Sequence, residues 1–200
     1  FSSHLHLIDE IRPAITWDYF CHGSETDAQL KKWVQEIKDI TDTYCKNTKR
    51  LAIDVINGPA VEELNKIGLS IVDAKSVVER ARVIKSTDEL QCQKAAIEVA
   101  EKGISKMRDE LKAGMTENEL WSILHKTNID HGGEWIECRL LTSGEKTNPW
   151  MQECGNKIIQ SEEIVAFDTD MVGPYGYCAD ISRTFVEGNN FTDEQIQLYE

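Results

Sequence analysis

Between residues 25 and 44, the segment ETDAQLKKWVQEIKDITDTY brings an apolar side chain back every three or four positions, at Leu30, Trp33, Ile37 and Ile40. That is the period of a helix with one buried stripe. Around it lie short segments that alternate or are rich in β-formers: HLHLID (4–9), AITWDYF (14–20) and RLAIDVI (50–56). Each is predicted as a strand. NGP breaks the last of them, Pro59 opens a helix over PAVEELNKIG, and Gly68 stops it. SIVDAKSVVERARVIKS then reads as a strand followed by a helix. Strands alternating with helices over residues 1–84 predict a small α/β domain.

The pattern lengthens after Lys85. STDELQCQKAAIEVAEKGISKMRDEL predicts a long helix capped by Ser86 or Thr87, with Leu90, Ala95, Ile97, Ile104 and Leu111 on its apolar side. KAG ends it. MTENELWSILHKTNIDHGG predicts a second helix, with Thr116 and Glu119 as a capping box. Strand-like segments follow: EWIECRLLTSG, KIIQ, EIVAFDTD and GYCADISRTFVEG. The domain boundary is placed near Lys85 to Thr87, so residues 85–200 form a second domain. FTDEQIQLYE opens a further helix with Thr192 as N-cap, and the first residue is Phe1 rather than Met. Both ends are therefore expected to be cut from a longer chain.

Composition narrows the class. Hydrophobic residues make up 40% and charged residues 28% of the 200 positions, a globular mixture. The net charge of −13 argues against a nucleic-acid partner, which needs clustered Lys and Arg. Six scattered cysteines with no CxxC pair fit neither a disulfide framework nor a thiolate zinc site, which points to a reducing, cytoplasmic setting. No apolar run reaches the roughly 18 residues of a membrane span.

The candidate chemistry lies in FDTDMVGPYGYCADISRTF, residues 167–185. Along a strand, Ile164, Ala166, Asp168 and Asp170 share one face, and Cys178, Asp180, Ser182 and Thr184 share a face of the next. If the hairpin is centred on Tyr175, Asp170 lies opposite Asp180 and Asp168 is the diagonal neighbour. Like charges that close repel. Arg183 points to the other face of an ideal strand, so a divalent cation, or two, is the economical partner. A solvated acidic hairpin is the alternative, weakened by the apolar Ile164 and Ala166 on the same face. A calcium loop fails at Val172 and Ala179, where its ligands would be required. None of His4, His6, His22, His125 and His131 has ligand-like spacing to the hairpin. Further ligands are expected beyond Glu200.

On these residues the sequence resembles the pita-bread metalloenzymes, the family of creatinase, prolidase, aminopeptidase P and methionine aminopeptidase. RVIKSTDELQCQKAA resembles their entry into the catalytic domain, LKAGMTENEL their helix-turn signature, and GYCADISRTF the segment of their second metal-binding aspartate. The resemblance covers about residues 85–200, the first half of a pita-bread catalytic domain. Residues 1–84 resemble the C-terminal part of a creatinase-type N-terminal domain.

Two departures resemble the dimethylsulfoniopropionate lyase branch. Asp168 and Asp180 are twelve apart where the peptidases have eleven, with Asp170 as an extra acid. SGEKTNPWMQECG carries Trp150 where the peptidases carry a substrate-binding His. The resemblance implies that Asp168, Asp170 and Asp180 ligate two divalent ions, iron first, with manganese, zinc or cobalt as alternatives. It implies a small-molecule substrate and a homodimer. The aromatic face of Trp150 attracts cations and would hold the sulfonium, unless the ring simply packs in the core. The reaction expected is cleavage of dimethylsulfoniopropionate to dimethyl sulfide and acrylate by a base lying beyond Glu200. The alternatives are a peptidase cleaving next to proline and a non-catalytic binding module. Residues 1–200 alone are expected to be inactive, and to aggregate or bind metal weakly.

Overall fold

A computed structural model describes residues 8–45 and 48–199. The chain divides into two compact units, Phe1–Ile84 and Lys85–Glu200.

In the first unit, α1 (Tyr19–His22) leads into α2 (Thr26–Tyr44), followed by β1 (Arg50–Ile53), α3 (Gly58–Lys66), β2 (Ser70–Asp73) and α4 (Lys75–Arg82). The strands β1 and β2 pair in parallel, Leu51 against Ile71 and Ala52 against Val72. Helix α3 starts where Asn57 accepts the Ala60 N–H at 3.2 Å, with Pro59 in its first turn. Leu30 and Val34 of α2, Ala60 and Leu64 of α3, and Leu69 form the core. The predicted strand AITWDYF is absent. Asp18 accepts the Cys21 N–H at 2.9 Å and turns the chain into α1, while Trp17 packs on Trp33 at 5.5 Å. A capping aspartate in a run of β-formers overrode their propensity. The predicted strand HLHLID, with His4 and His6, falls largely outside the described residues.

The second unit opens with α5 (Thr87–Glu110) and α6 (Glu117–Asp130). Both carry complete capping boxes, Ser86 with Glu89 and Thr116 with Glu119. The buried face of α5 is Ala96, Val99, Ala100, Gly103, Ile104 and Met107, whereas Leu90 and Ile97 are exposed. Small residues let α6 approach closely: a Cβ on Gly103 would meet Leu124 Cδ1 at 2.5 Å.

Six short strands follow: β3 (Trp135–Ile136), β4 (Leu141–Ser143), β5 (Ile164–Phe167), β6 (Met171–Val172), β7 (Cys178–Ala179) and β8 (Arg183–Val186). A last helix, α7, spans Asp193–Tyr199. The strands form two sheets, ordered β3-β6-β7 and β4-β5-β8. KIIQ contributes only an isolated bridge, Ile158 with Thr116. Pairs in β6–β7 (Met171 with Ala179) and β5–β8 (Phe167 with Arg183) are all centred on Tyr175, as the sequence predicts. Leu141, Val165, Phe167, Met171 and Ala179 join α5 and α6 in one core.

Candidate metal centre

Between the two paired stretches of this ribbon the ladder opens at residues 168–170 and 180–182. Thr169 holds the gap together. Its buried hydroxyl donates to the Ala179 carbonyl at 2.8 Å and accepts the Ile181 N–H at 2.9 Å. Asp170 adopts φ 36°, a left-handed conformation that aspartate tolerates better than most residues. The opening aims Asp168, Asp170 and Asp180 at one place: an oxygen from each lies within 4.8 Å of the others. Asp168 and Asp170 are half-buried and Asp180 is exposed.

One expectation is corrected here. The face of Ile164 and Ala166 is not the buried one. Val165, Phe167 and Thr169 on the opposite face are fully enclosed, because α5 and α6 pack there, and the acid face is half-buried.

Each acid has polar neighbours, and none of those among the described residues is a cation. Asp168 Oδ1 accepts the Ser182 hydroxyl at 2.9 Å, and its N–H donates to the Leu140 carbonyl at 2.9 Å. Asp170 Oδ2 accepts the Cys138 thiol at 2.7 Å, and its N–H points at Asp180 Oδ1 at 3.4 Å. Arg183 donates to the Ser182 carbonyl at 2.8 Å. Among the described residues no ion pair reaches the three acids. The hydrogen bond to Asp168, then partial burial, then the Asp168 charge raise the Asp180 carboxyl above its ordinary range. Burial, followed by the bond to Asp170, pushes the Cys138 thiol up to about 12, so it serves as a donor. Oxygen donors gathered without a counter-charge fit a hard or borderline divalent ion. No histidine joins the cluster among the described residues. His22 contacts the Thr16 hydroxyl at 2.9 Å, His131 the Thr127 carbonyl at 2.9 Å, and His125 the edge of Trp121.

Trp150 is 38% exposed, on a loop between β4 and β5, after the cis bond Asn148–Pro149 and before Met151 at φ 76°. Sequence reasoning missed three residues around these features. Ser182 and Cys138 orient the acids, and Glu117 is wholly buried beneath the Trp150 loop. Ser182 had a legible signal, since it alternates with Asp180 on one face. Glu117 stands in the sequence as an acid in the first turn of a helix, and nothing in its spacing marks it as buried.

The model of metallopeptidase family M24 matches residues 91–200. The dimethylsulfoniopropionate lyase DddP of Roseobacter denitrificans is 38% identical over 188 residues, covering 92% of this chain and 42% of that protein. The Xaa-Pro aminopeptidase of Escherichia coli is 24% identical over 185 residues, covering 88% of this chain and 41% of its own length. Among solved structures, the prolidase from Pyrococcus furiosus superposes with a TM-score of 0.69 at 24% identity, over 82% of this chain and 48% of the prolidase. The chain thus spans under half the length of these relatives. No helix among the described residues is long and apolar enough to cross a membrane. Because the family match takes in more than half of the chain, the acid-bearing ribbon included, this chain belongs to metallopeptidase family M24, the pita-bread enzymes.

Proposed function

We propose that this chain is part of a metal-dependent lyase that cleaves dimethylsulfoniopropionate to dimethyl sulfide and acrylate. The observation that carries the reading is the 38% identity over 188 residues to a lyase of that name, against 24% over a similar stretch to an Xaa-Pro aminopeptidase. Asp168, Asp170 and Asp180 would hold two divalent ions, with iron as the first candidate. A divalent ion at carboxylate oxygens supplies Lewis-acid polarisation of a substrate carboxylate. The chain's own residues do the rest of what is assigned here. Ser182 and Cys138 orient Asp168 and Asp170 by donating to them. Trp150 offers its ring face to the sulfonium and, unlike histidine, cannot take a proton. In the reaction a base removes the proton next to the carboxylate, its electrons form the carbon–carbon double bond, and the carbon–sulfur bond breaks to release dimethyl sulfide. That base is assigned to no residue of this chain. A homodimer in the cytoplasm completes the proposal.

A polypeptide of the relatives' full length that carries this chain, supplied in turn with iron, manganese, zinc and cobalt, tests it. Dimethyl sulfide and acrylate in equal amounts are expected. Proline release from an Xaa-Pro peptide without dimethyl sulfide would instead establish the peptidase reading, which the aminopeptidase identity supports. A stably folded product that takes up no metal would make it a binding module.

A further inference from the structure

The segment from Ser143 to Gly155 leaves the sheet at the end of β4, and both of its ends land on one carboxylate. Glu117 Oε1 accepts the Ser143 N–H at 2.8 Å and the Ser143 hydroxyl at 2.9 Å. Glu117 Oε2 accepts the Gly155 N–H at 3.0 Å and Lys146 Nζ at 2.6 Å. Lys146 reaches on to the Glu153 carbonyl at 3.2 Å. Burial alone would raise the Glu117 carboxyl, but Lys146, Ser143 and Gly155 hold it below the usual range.

Helix α6 does not need this acid. Its cap is served by Thr116 and Glu119, and an acid in the first turn favours the dipole equally well at the surface. Burying a carboxylate costs several kcal/mol unless its partners compensate. What the burial achieves is closure of a loop whose middle carries Trp150. The exit limb of that loop is also tied to the acid ribbon. Cys154 donates its N–H to the Arg139 carbonyl at 2.8 Å, and Arg139 donates back to the Cys154 carbonyl at 2.8 Å. The next residue along, Cys138, donates to Asp170.

We infer that Glu117 is a positioning residue for substrate recognition: its buried carboxylate clamps both ends of the 143–155 loop and so sets the pose in which Trp150 meets the sulfonium. This rests on the lyase reading proposed above. Glu117 touches no reacting atom. Its loss acts on binding of the cationic part of the substrate and leaves the acids on the two limbs of their ribbon.

The test uses the full-length metal-loaded protein with Glu117→Gln, Lys146→Met and Trp150→Ala. Lys146→Met leaves Glu117 in place and guards against a Gln variant that fails to fold. The expected result is a rise in KM for dimethylsulfoniopropionate of about tenfold, the span of one cation–π contact, with kcat within about threefold. Inhibition by acrylate, which lacks the sulfonium, stays within about twofold. Combining Glu117→Gln with Trp150→Ala adds little beyond either alone. Equal losses in kcat and in acrylate binding, or full additivity of the two substitutions, overturn the inference. Hydrogen exchange separates the two layers. Peptides over 143–157 should lose protection in Glu117→Gln while those over 96–107 keep theirs, whatever the enzyme turns over. An unmutated protein without lyase activity defeats the lyase reading, and with it the role given to Trp150. An unchanged exchange pattern defeats the clamp alone.

Discussion

The second unit holds two concentrations of carboxylate, built in opposite ways. Glu117 is fully buried and receives four donors, one of them an ammonium. Asp168, Asp170 and Asp180 are partly open, crowd one another within 4.8 Å, and receive a hydroxyl, a thiol and a distant N–H, with no cation among the described residues. A buried acid with every lone pair matched belongs to the architecture. A group of acids held together without a counter-charge is costly in the empty protein, and becomes favourable only when a cation arrives from outside. On the metal reading proposed above, burial alone would rank the two sites the wrong way round, because the more enclosed acid is the one already satisfied by its own donors.

The comparison can be broken most sharply at the open site. Asp168→Ala or Asp180→Ala should weaken divalent-metal binding by at least about a hundredfold, since even outer partners of metal ligands count for 10–100-fold. Isothermal titration with Mn²⁺ measures it, and unchanged affinity would show that the acids hold no ion. At the closed site, Glu117→Ala should cost about 2 kcal/mol in urea unfolding, because it strands buried N–H donors and Lys146. A loss under about 0.5 kcal/mol would mean that the donors are satisfied by water.

A smaller effect is the pH dependence of that stability. The Glu117 carboxyl lies below its ordinary 4.5, so its contribution is fully present above pH 4.5 and is lost as pH falls through the lowered folded value. Glu117→Gln should flatten this part of the acid limb in urea midpoints taken between pH 7 and pH 3. The smallest effect has the opposite sign. In metal-free protein at pH 7, Asp180→Asn should raise stability by a few tenths of a kcal/mol by relieving like-charge repulsion, and saturating Mn²⁺ should reverse the order of the two proteins. Destabilisation by this substitution without metal would place Asp180 in the same structural class as Glu117.

Much of the frame was legible because it rests on local signals. Thr116 with Glu119 and Ser86 with Glu89 mark helix starts through side chains that reach only three residues. The hairpin centred on Tyr175 follows from a short turn, and that register alone sets Asp170 against Asp180. Other elements escaped for equally definite reasons. The buried face of α5 was legible at Ile104 but not at Ala96, Ala100 and Gly103, which weigh little by hydrophobic size; Gly103 lets α6 come close and Ala96 meets Gly173. The β-formers of AITWDYF were overridden by one capping aspartate, and KIIQ made a single bridge instead of a strand.

The sequence by itself determined that three aspartates share one side of a turned-back ribbon, because strand alternation and turn length act over a few residues and tolerate little variation. Only the tertiary structure decided which side α5 and α6 would cover, that the ladder would open around Thr169 to bring the carboxylates together, and that Glu117 would be drawn inside. Those outcomes depend on which distant surfaces pack and which donors converge. Cys138 meets Asp170 across 32 positions and Ser143 meets Glu117 across 26, separations at which no local period carries information.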